Sequence, residues 1–523
     1  MPKQVYSNFE GGLSLSDKVG NDNQFWIGRA VDIYEKPGFL FPGWQFTAIT
    51  LTSLTSGKYV REIIVDAVNG IAYIFTNDAS HSAYMINSIS ANTLVTNVDG
   101  SSNPFVAIAN MSGDMKGLIY SAKNNTAVTR FAFVCYNSAG DIARVQLSGS
   151  TDLDASHLIK DFLTNIIYLG ASALDTTGRR DVIEFRGYAF FTNGRYIAKY
   201  DGNGSGNYGD WTAQFFDLGV GWTADCLFTT GDYLGICASK SAGSGNISEC
   251  RVYLIDLSSN TLAVKIIPIA NLNRINGVRN KDGIIYICGD GRTRADVVGV
   301  LTDNGFKEIY KIRIETNGIL RYIGTGNKNN MDVMDDRLFF GLDINNKEGE
   351  SLDAIMSLDR NDVLTMPIAT NSNTGSGNYI PTLKVVLYNK IYIAKDTNGT
   401  FTFGSLARGG GSTATYSTPY KEFAQKIRIN YIKVYFRQLA SGDSATISLN
   451  TDDGLADAAG NNSVAIPLGI GAGNIAYGNE AVVTYKRFDV KKICHSFRVN
   501  IAFLTGTVTI SKIVVDYDFV DDL

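Results

Sequence analysis

Short runs in which apolar and polar residues alternate recur along the chain, and no long Leu/Glu/Lys-rich stretch reads as helix. One phrase repeats, in which a polar or glycine turn launches an aromatic and aliphatic run with a small residue near its end. It reads Asn69-Gly-Ile-Ala-Tyr-Ile-Phe-Thr, Lys116-Gly-Leu-Ile-Tyr-Ser-Ala, Arg186-Gly-Tyr-Ala-Phe-Phe-Thr and Gly231-Asp-Tyr-Leu-Gly-Ile-Cys. It returns as Asp282-Gly-Ile-Ile-Tyr-Ile-Cys, Asp335-Asp-Arg-Leu-Phe-Phe-Gly and Tyr388-Asn-Lys-Ile-Tyr-Ile-Ala. The starts lie 47, 70, 45, 51, 53 and 53 residues apart. A second strand usually follows, as in Thr129-Arg-Phe-Ala-Phe-Val-Cys, Cys250-Arg-Val-Tyr-Leu-Ile-Asp and Glu308-Ile-Tyr-Lys-Ile-Arg-Ile, before a turn rich in Asn, Asp or Gly.

About fifty residues hold four short strands with their turns, the content of one propeller blade. Seven phrases therefore predict an all-β, seven-bladed β-propeller over residues 51–408. Single sheets of this size cannot bury both faces, so they must stack, and a ring also removes open sheet edges. The competing arrangement is two stacked sandwiches whose hairpins are only accidentally periodic. The long interval from 116 to 186 leaves room for an insertion, and Ala155-Ser-His-Leu-Ile-Lys-Asp-Phe-Leu reads as a short helix.

Residues 409–420, rich in Gly, Ser and Thr, have linker composition. Beyond them the period becomes strictly two in Gln425-Lys-Ile-Arg-Ile-Asn-Tyr-Ile-Lys-Val-Tyr-Phe-Arg, Thr446-Ile-Ser-Leu-Asn, Ala481-Val-Val-Thr-Tyr, Ser496-Phe-Arg-Val-Asn-Ile-Ala-Phe and Val508-Thr-Ile-Ser-Lys-Ile-Val-Val-Asp-Tyr. Five such strands predict a C-terminal β-sandwich over 421–523, with the Lys and Arg positions of 426–437 on a face turned to solvent or to a partner.

Composition narrows the functional classes. The 53 Gly, 27 Tyr and 27 Phe among 523 residues suit many short strands and tight turns. A net charge of −4 gives no broad basic field, so specific or non-specific nucleic-acid binding is not expected. No apolar run reaches the roughly 20 residues needed to span a bilayer, and the first residues lack a secretory pattern, so no membrane association is expected. The six Cys contain no C-x-x-C pair and the three His stand far apart, which argues for buried thiols and against a zinc site.

The N-terminal segment 1–50 opens with Phe9-Glu-Gly-Gly-Leu, runs through Asp22-Asn-Gln-Phe25 and continues into Ala30-Val-Asp-Ile and Lys36-Pro-Gly. This ordered set resembles the opening of tail structural proteins of tailed bacteriophages. That resemblance covers about the first 40 residues. It implies an arm leading into a β-propeller, in a short-tail nozzle, tail-tip, adaptor or fibre-attachment component. It further implies a virion protein made in the cytoplasm of the host bacterium, packed against other tail proteins and copies of itself in a ring, with a host surface receptor as a further partner. The large inserted domains of the longest nozzle proteins are not seen here. The arm either completes the last blade and docks on the ring or reaches a neighbouring subunit. On the second reading its contact residues are Phe9, Gly11, Gly12, Leu13, Asn23, Gln24, Phe25 and Trp26.

Enzyme chemistry finds little footing. There is no G-x-S-x-G elbow, H-E-x-x-H pair, phosphate loop or dinucleotide fingerprint, so a non-enzymatic protein is expected. The rival functions are a receptor- or glycan-binding tail protein and, behind it, a propeller glycoside hydrolase built on a carboxylate pair. No cofactor is expected, with one calcium candidate. Asp201, Asn203 and Ser205 place oxygen ligands at positions 1, 3 and 5 of a Gly-rich loop that otherwise reads as a surface turn.

Overall fold

The computed structural model describes residues 2–520 apart from 12–26, 35–37, 97, 99–102, 109–110, 122–129, 137–139, 148–157, 160–172, 203–209, 242–246, 259–262, 292–295, 304, 313–320, 324–327, 346–350, 360, 362–363, 372–379, 398–399, 408–413, 452–462, 466–473, 477–483 and 507. The protein is all-β, and the helical geometry among the described residues is a single 3-10 turn, Phe9–Gly11.

Among the described residues, seven antiparallel sheets follow one another between Val60 and Ala407, six of four strands and one of five, the seventh taking its fourth strand from Gln45–Ala48. We number them I to VII by their inner strands: Val60–Asp66, Met115–Ser121, Val182–Phe185, Trp222–Thr230, Leu272–Lys281, Met331–Met334 and Thr382–Val386. Each inner strand touches that of the next sheet, and the inner strand of VII touches that of I. The sheets therefore stand around a common axis, the arrangement of a β-propeller. Apolar clusters fill the wedges between them. Phe133, Phe191 and Tyr200 pack edge to face between II and III, and Tyr73, Val134 and Tyr136 lie between I and II.

The repeated phrase owes its shape to hairpin geometry. Between the first two strands of III the loop is Arg186-Gly187, with φ of 54° and 81°; in V it is Asp282-Gly283, with 53° and 83°. Positive φ at both central residues is the tight turn whose twist matches that of paired strands, which is why Asp-Gly and similar pairs precede the aromatic run.

Three local expectations are corrected. The seven phrases are not equivalent: Lys116-Gly-Leu-Ile-Tyr lies in the inner strand of II, whereas the other six open the second strands of their sheets, which in II is Arg130–Tyr136. With that replacement the second strands start at 71, 130, 188, 233, 284, 337 and 390, giving intervals of 59, 58, 45, 51, 53 and 53. Within the stretch read as a short helix, Leu158–Ile159 is instead the outer strand of II, paired with Arg144 and Val145. The segment read as a linker, 409–420, contains the strand Ala414–Ser417, whose Tyr416 is fully buried.

That strand belongs to a nine-stranded sheet which draws on both ends of the chain. Lys421–Phe436 pairs on one side with Ile510–Phe519 and on the other with the first part of Tyr485–Thr505. The second part of that 21-residue strand pairs with Ser444–Thr451 and Ala414–Ser417. Period-two alternation puts Ile427, Ile432, Val434, Ile447, Leu449, Val499, Ile501 and Val515 in the core and leaves Lys and Arg outside.

Candidate functional site

The N-terminal arm is tied down along its length. Lys3–Ser7 pairs with Ile510–Phe519, so the two ends of the chain share one sheet. Phe9 is fully buried with its ring edge-on to Tyr416, the centroids 5.6 Å apart. Ile27–Arg29 pairs with Ala414–Ser417. Gln45–Ala48 then forms the outer strand of VII, paired with Thr400–Ala407. That last pairing joins residues from opposite ends of the sequence and closes the ring. Gly404 lets it form, because a Cβ there would stand 2.3 Å from the Thr47 carbonyl oxygen.

A buried ion pair locks the arm to sheet VI. Asp32 and Arg337 are both fully buried, and Arg337 Nη1 donates to Asp32 Oδ2 at 3.2 Å. The same carboxylate accepts from Trp44 Nε1 and the Tyr34 amide, while Arg337 Nη2 donates to Ser357 Oγ. Arg337 also lies over the Tyr34 and Phe339 rings. A buried ion pair is costly to break from one side.

Phe9, expected among the residues that contact a neighbouring subunit, is thus packed inside its own chain, and Gly11 ends the 3-10 turn half-buried. Gly12, Leu13, Asn23, Gln24, Phe25 and Trp26 lie outside the described residues.

The axis of the ring is filled with charge, an arrangement the repeat phrase does not reveal. Lys116 of II donates to both oxygens of Glu62 of I at 3.1 and 3.3 Å, and to the Lys328 carbonyl at 3.0 Å. Burial pushes Glu62 up and Lys116 down, their attraction recovering only part of the cost of leaving water. Asp332 of VI meets Lys384 at 3.0 Å and Arg279 at 3.8 Å. Burial opposes its ionisation, yet those two cations hold its carboxyl below the ordinary range.

Lys328-Asn329-Asn330, leading into the inner strand of VI, crosses this axis. The Lys328 amide donates to the Asn276 carbonyl of V, and Lys328 Nζ meets Asp114, just before II, at 2.6 Å. Asn329 Nδ2 donates to the Met115 carbonyl of II, and its own carbonyl accepts from the Leu383 amide of VII. One short segment thus staples II, V and VII, sheets that are not neighbours of one another. The signal in the sequence is a charge inside or just before each inner strand: Glu62, Lys116, Asp181, Asp225, Arg279, Asp332 and Lys384. It was missed because a lone charge in an apolar run reads as an outward-facing position.

The calcium candidate resolves only in part. Asp201 Oδ1 accepts from the Asp210 amide at 3.0 Å, and the Asp201 amide donates to the Asp210 carbonyl, so the two residues close the hairpin before Trp211. Asn203 and Ser205 lie outside the described residues. Among the described residues no group of three or more His, Cys, Asp or Glu is placed to hold a metal ion.

No family model and no curated protein matches the sequence. Among solved structures, the chain is similar to the N-terminal domain of Nup159, at 8% identity over 70% of this chain and 95% of that one, with a TM-score of 0.37. It is also similar to Drosophila semaphorin 2a, at 10% identity over 87% and 97%, with a TM-score of 0.41.

Proposed function

We propose that the seven sheets are the blades of a seven-bladed β-propeller, that the nine-stranded sheet folds over on itself as a β-sandwich, and that the protein is a non-enzymatic structural subunit of a phage tail. The observation that carries this reading is the path of the arm. The segment whose residues resemble the opening of tail structural proteins is the same one that sews the C-terminal sheet to the propeller and closes the ring. Pairing at both ends, with Asp32–Arg337 buried between, suits a rigid spacer that transmits load between neighbours. A polar axis stapled by Lys328-Asn329-Asn330 suits the same role, since ion pairs fix register and orientation.

The partners on this reading are other tail proteins and further copies of the chain, and its place is the virion. Mass spectrometry of purified particles, followed by imaging with the subunit labelled, tests it. Stoichiometric recovery and label at the tail are expected; absence of the chain from the particles contradicts the proposal.

A second reading, recognition of a host receptor or glycan, is favoured by the outer face of the C-terminal sheet. Tyr485 is 48% exposed there, Lys433 Nζ lies 3.7 Å above its ring, and Arg487 covers Tyr431. Binding of the purified chain to host cells, lost in Tyr485→Ala, would support it.

A further inference from the structure

At one mouth of the axial network lies a cleft of about 360 Å³, independent of the role proposed above. Four cations line it, Arg61, Arg179, Arg274 and Lys328, with Asp114 among them. Lys328 is committed to Asp114 at 2.6 Å. Arg179 and Arg274 share one buried carboxylate, Asp225, at 4.0 and 3.6 Å. Arg179 also donates to the Ile275 carbonyl and to Asn276 Oδ1, which fixes its guanidinium at the wall. Arg61 rests over the Tyr59 ring at 4.4 Å with no carboxylate against it among the described residues. The Nε atoms of Arg61 and Arg274 are buried without a hydrogen-bond partner.

Four cations against Asp114, Asp225 and Asp290, the last bonded to Asn276 and paired across the strands with Arg274, leave an excess of positive charge. The half-exposed guanidinium groups of Arg61 and Arg274 keep donors to offer an anion in the cleft. The ligand that answers it is an anion with several acceptor oxygens on a compact centre, able to meet three guanidinium groups at once. A phosphate group does so, carrying about −1.5 to −2 at pH 7 with three strong acceptors. Guanidinium forks match phosphate geometry, whereas one planar carboxylate supplies half the charge.

We infer that this cleft binds a single phosphate group, held by Arg61, Arg179 and Arg274. The group arrives as the free ion or as a small phosphate monoester, and both offer the same oxygens.

Calorimetric titration of the full-length protein in a phosphate-free buffer tests this, with inorganic phosphate and glycerol phosphate as separate arms and acetate as the planar control. A saturable one-site heat with either phosphate supports the proposal, and the two arms tell the free ion from the ester. Arg61→Gln and Arg274→Gln each weaken that binding about tenfold or more, the scale of one charged hydrogen bond. Lys265→Gln, a surface change at an exposed pair with Asp303, leaves it unaltered. Circular dichroism melting of Arg61→Gln matching the parent shows that the loss is local. No saturable heat up to about 10 mM phosphate, weaker than any useful site, overturns the proposal. So does binding that both arginine variants leave intact, or acetate binding as tightly as phosphate.

Discussion

The axis of the propeller and the core of the C-terminal sheet solve the same problem with opposite chemistry. Along the axis, strands from seven sheets converge and their side chains meet as ions: Lys116 with Glu62, Lys384 and Arg279 with Asp332, Lys328 with Asp114. In the C-terminal sheet the interior is aliphatic and aromatic, with Ile427, Ile447, Phe488, Val499 and the Phe9–Tyr416 pair in contact. The difference follows from what each must specify. Apolar packing tolerates exchange among residues of similar size, so it stabilises without dictating which strand lies where. Ion pairs that fail when mispaired can fix the order of seven similar sheets. Burial is the common cost, met in one region by pairing and in the other by the absence of charge.

Removing one side of an axial pair is the harshest way to break this contrast. Lys116→Met leaves Glu62 buried without its cation and should cost about 3–5 kcal/mol in urea denaturation. The double change Lys116→Met with Glu62→Leu should recover most of that loss. If it does, the pair contributes order rather than net stability. Should the double variant remain as unstable as the single one, the ions are doing more than fixing register.

In the apolar region, Phe9→Ala should cost about 3 kcal/mol, the lower end for a large-to-small aromatic change, since it opens a cavity against Tyr416. No change in Tyr416 should rescue it, unlike the ionic case, and a calorimetric melt of the two variants checks this.

Gly404→Ala probes the join between the arm and sheet VII. The added methyl meets the Thr47 carbonyl at 2.3 Å, and a cost of about 1–3 kcal/mol is expected, measured as a lowered thermal midpoint. Proteolysis beginning near residue 45 in this variant would locate the loosening at the closure.

The mildest probe is pH. Asp332 titrates below its ordinary value in the folded protein, so it contributes stability above about pH 4 that is lost as pH falls through the folded value. Glu62 and Asp181, pushed up by burial, act in the opposite sense: what they contribute is present below the ordinary carboxylate range and lost as pH rises through their raised values. Asp332→Asn should therefore lower the urea midpoint at pH 7 and narrow its difference from pH 3. An acid limb as steep as the parent's would assign the acid sensitivity elsewhere.

Much of the ring was legible because the hairpin turns are local. Arg186-Gly187 and Asp282-Gly283 announce their geometry in two residues, and the aromatic run behind them is the second strand of its sheet. Sheet II blurred the spacing because the Lys-Gly-Leu-Ile-Tyr of its inner strand is worded like the Asp-Gly-Ile-Ile-Tyr that opens the second strand of V. Strand Ala414–Ser417 was hidden by Thr and Ser, which suit a strand as well as a linker. Completion of the last blade was one of two readings of the arm, but its first pairing could not be read: five residues, Lys3–Ser7, carry no mark of a partner at 510–519. Nor could the axial ions, since their partners come from different sheets and the pairing exists only once the ring is closed.

The claim on which the account rests is that the N-terminal arm closes the ring. Gln45 and Ala407 are register partners across that join. Replacing both with Cys and oxidising the folded protein should give a single intramolecular cross-link, identified by mass spectrometry, together with a higher thermal midpoint. A protein that stays reduced and folded under those conditions, or that links these positions only between separate chains, would contradict it.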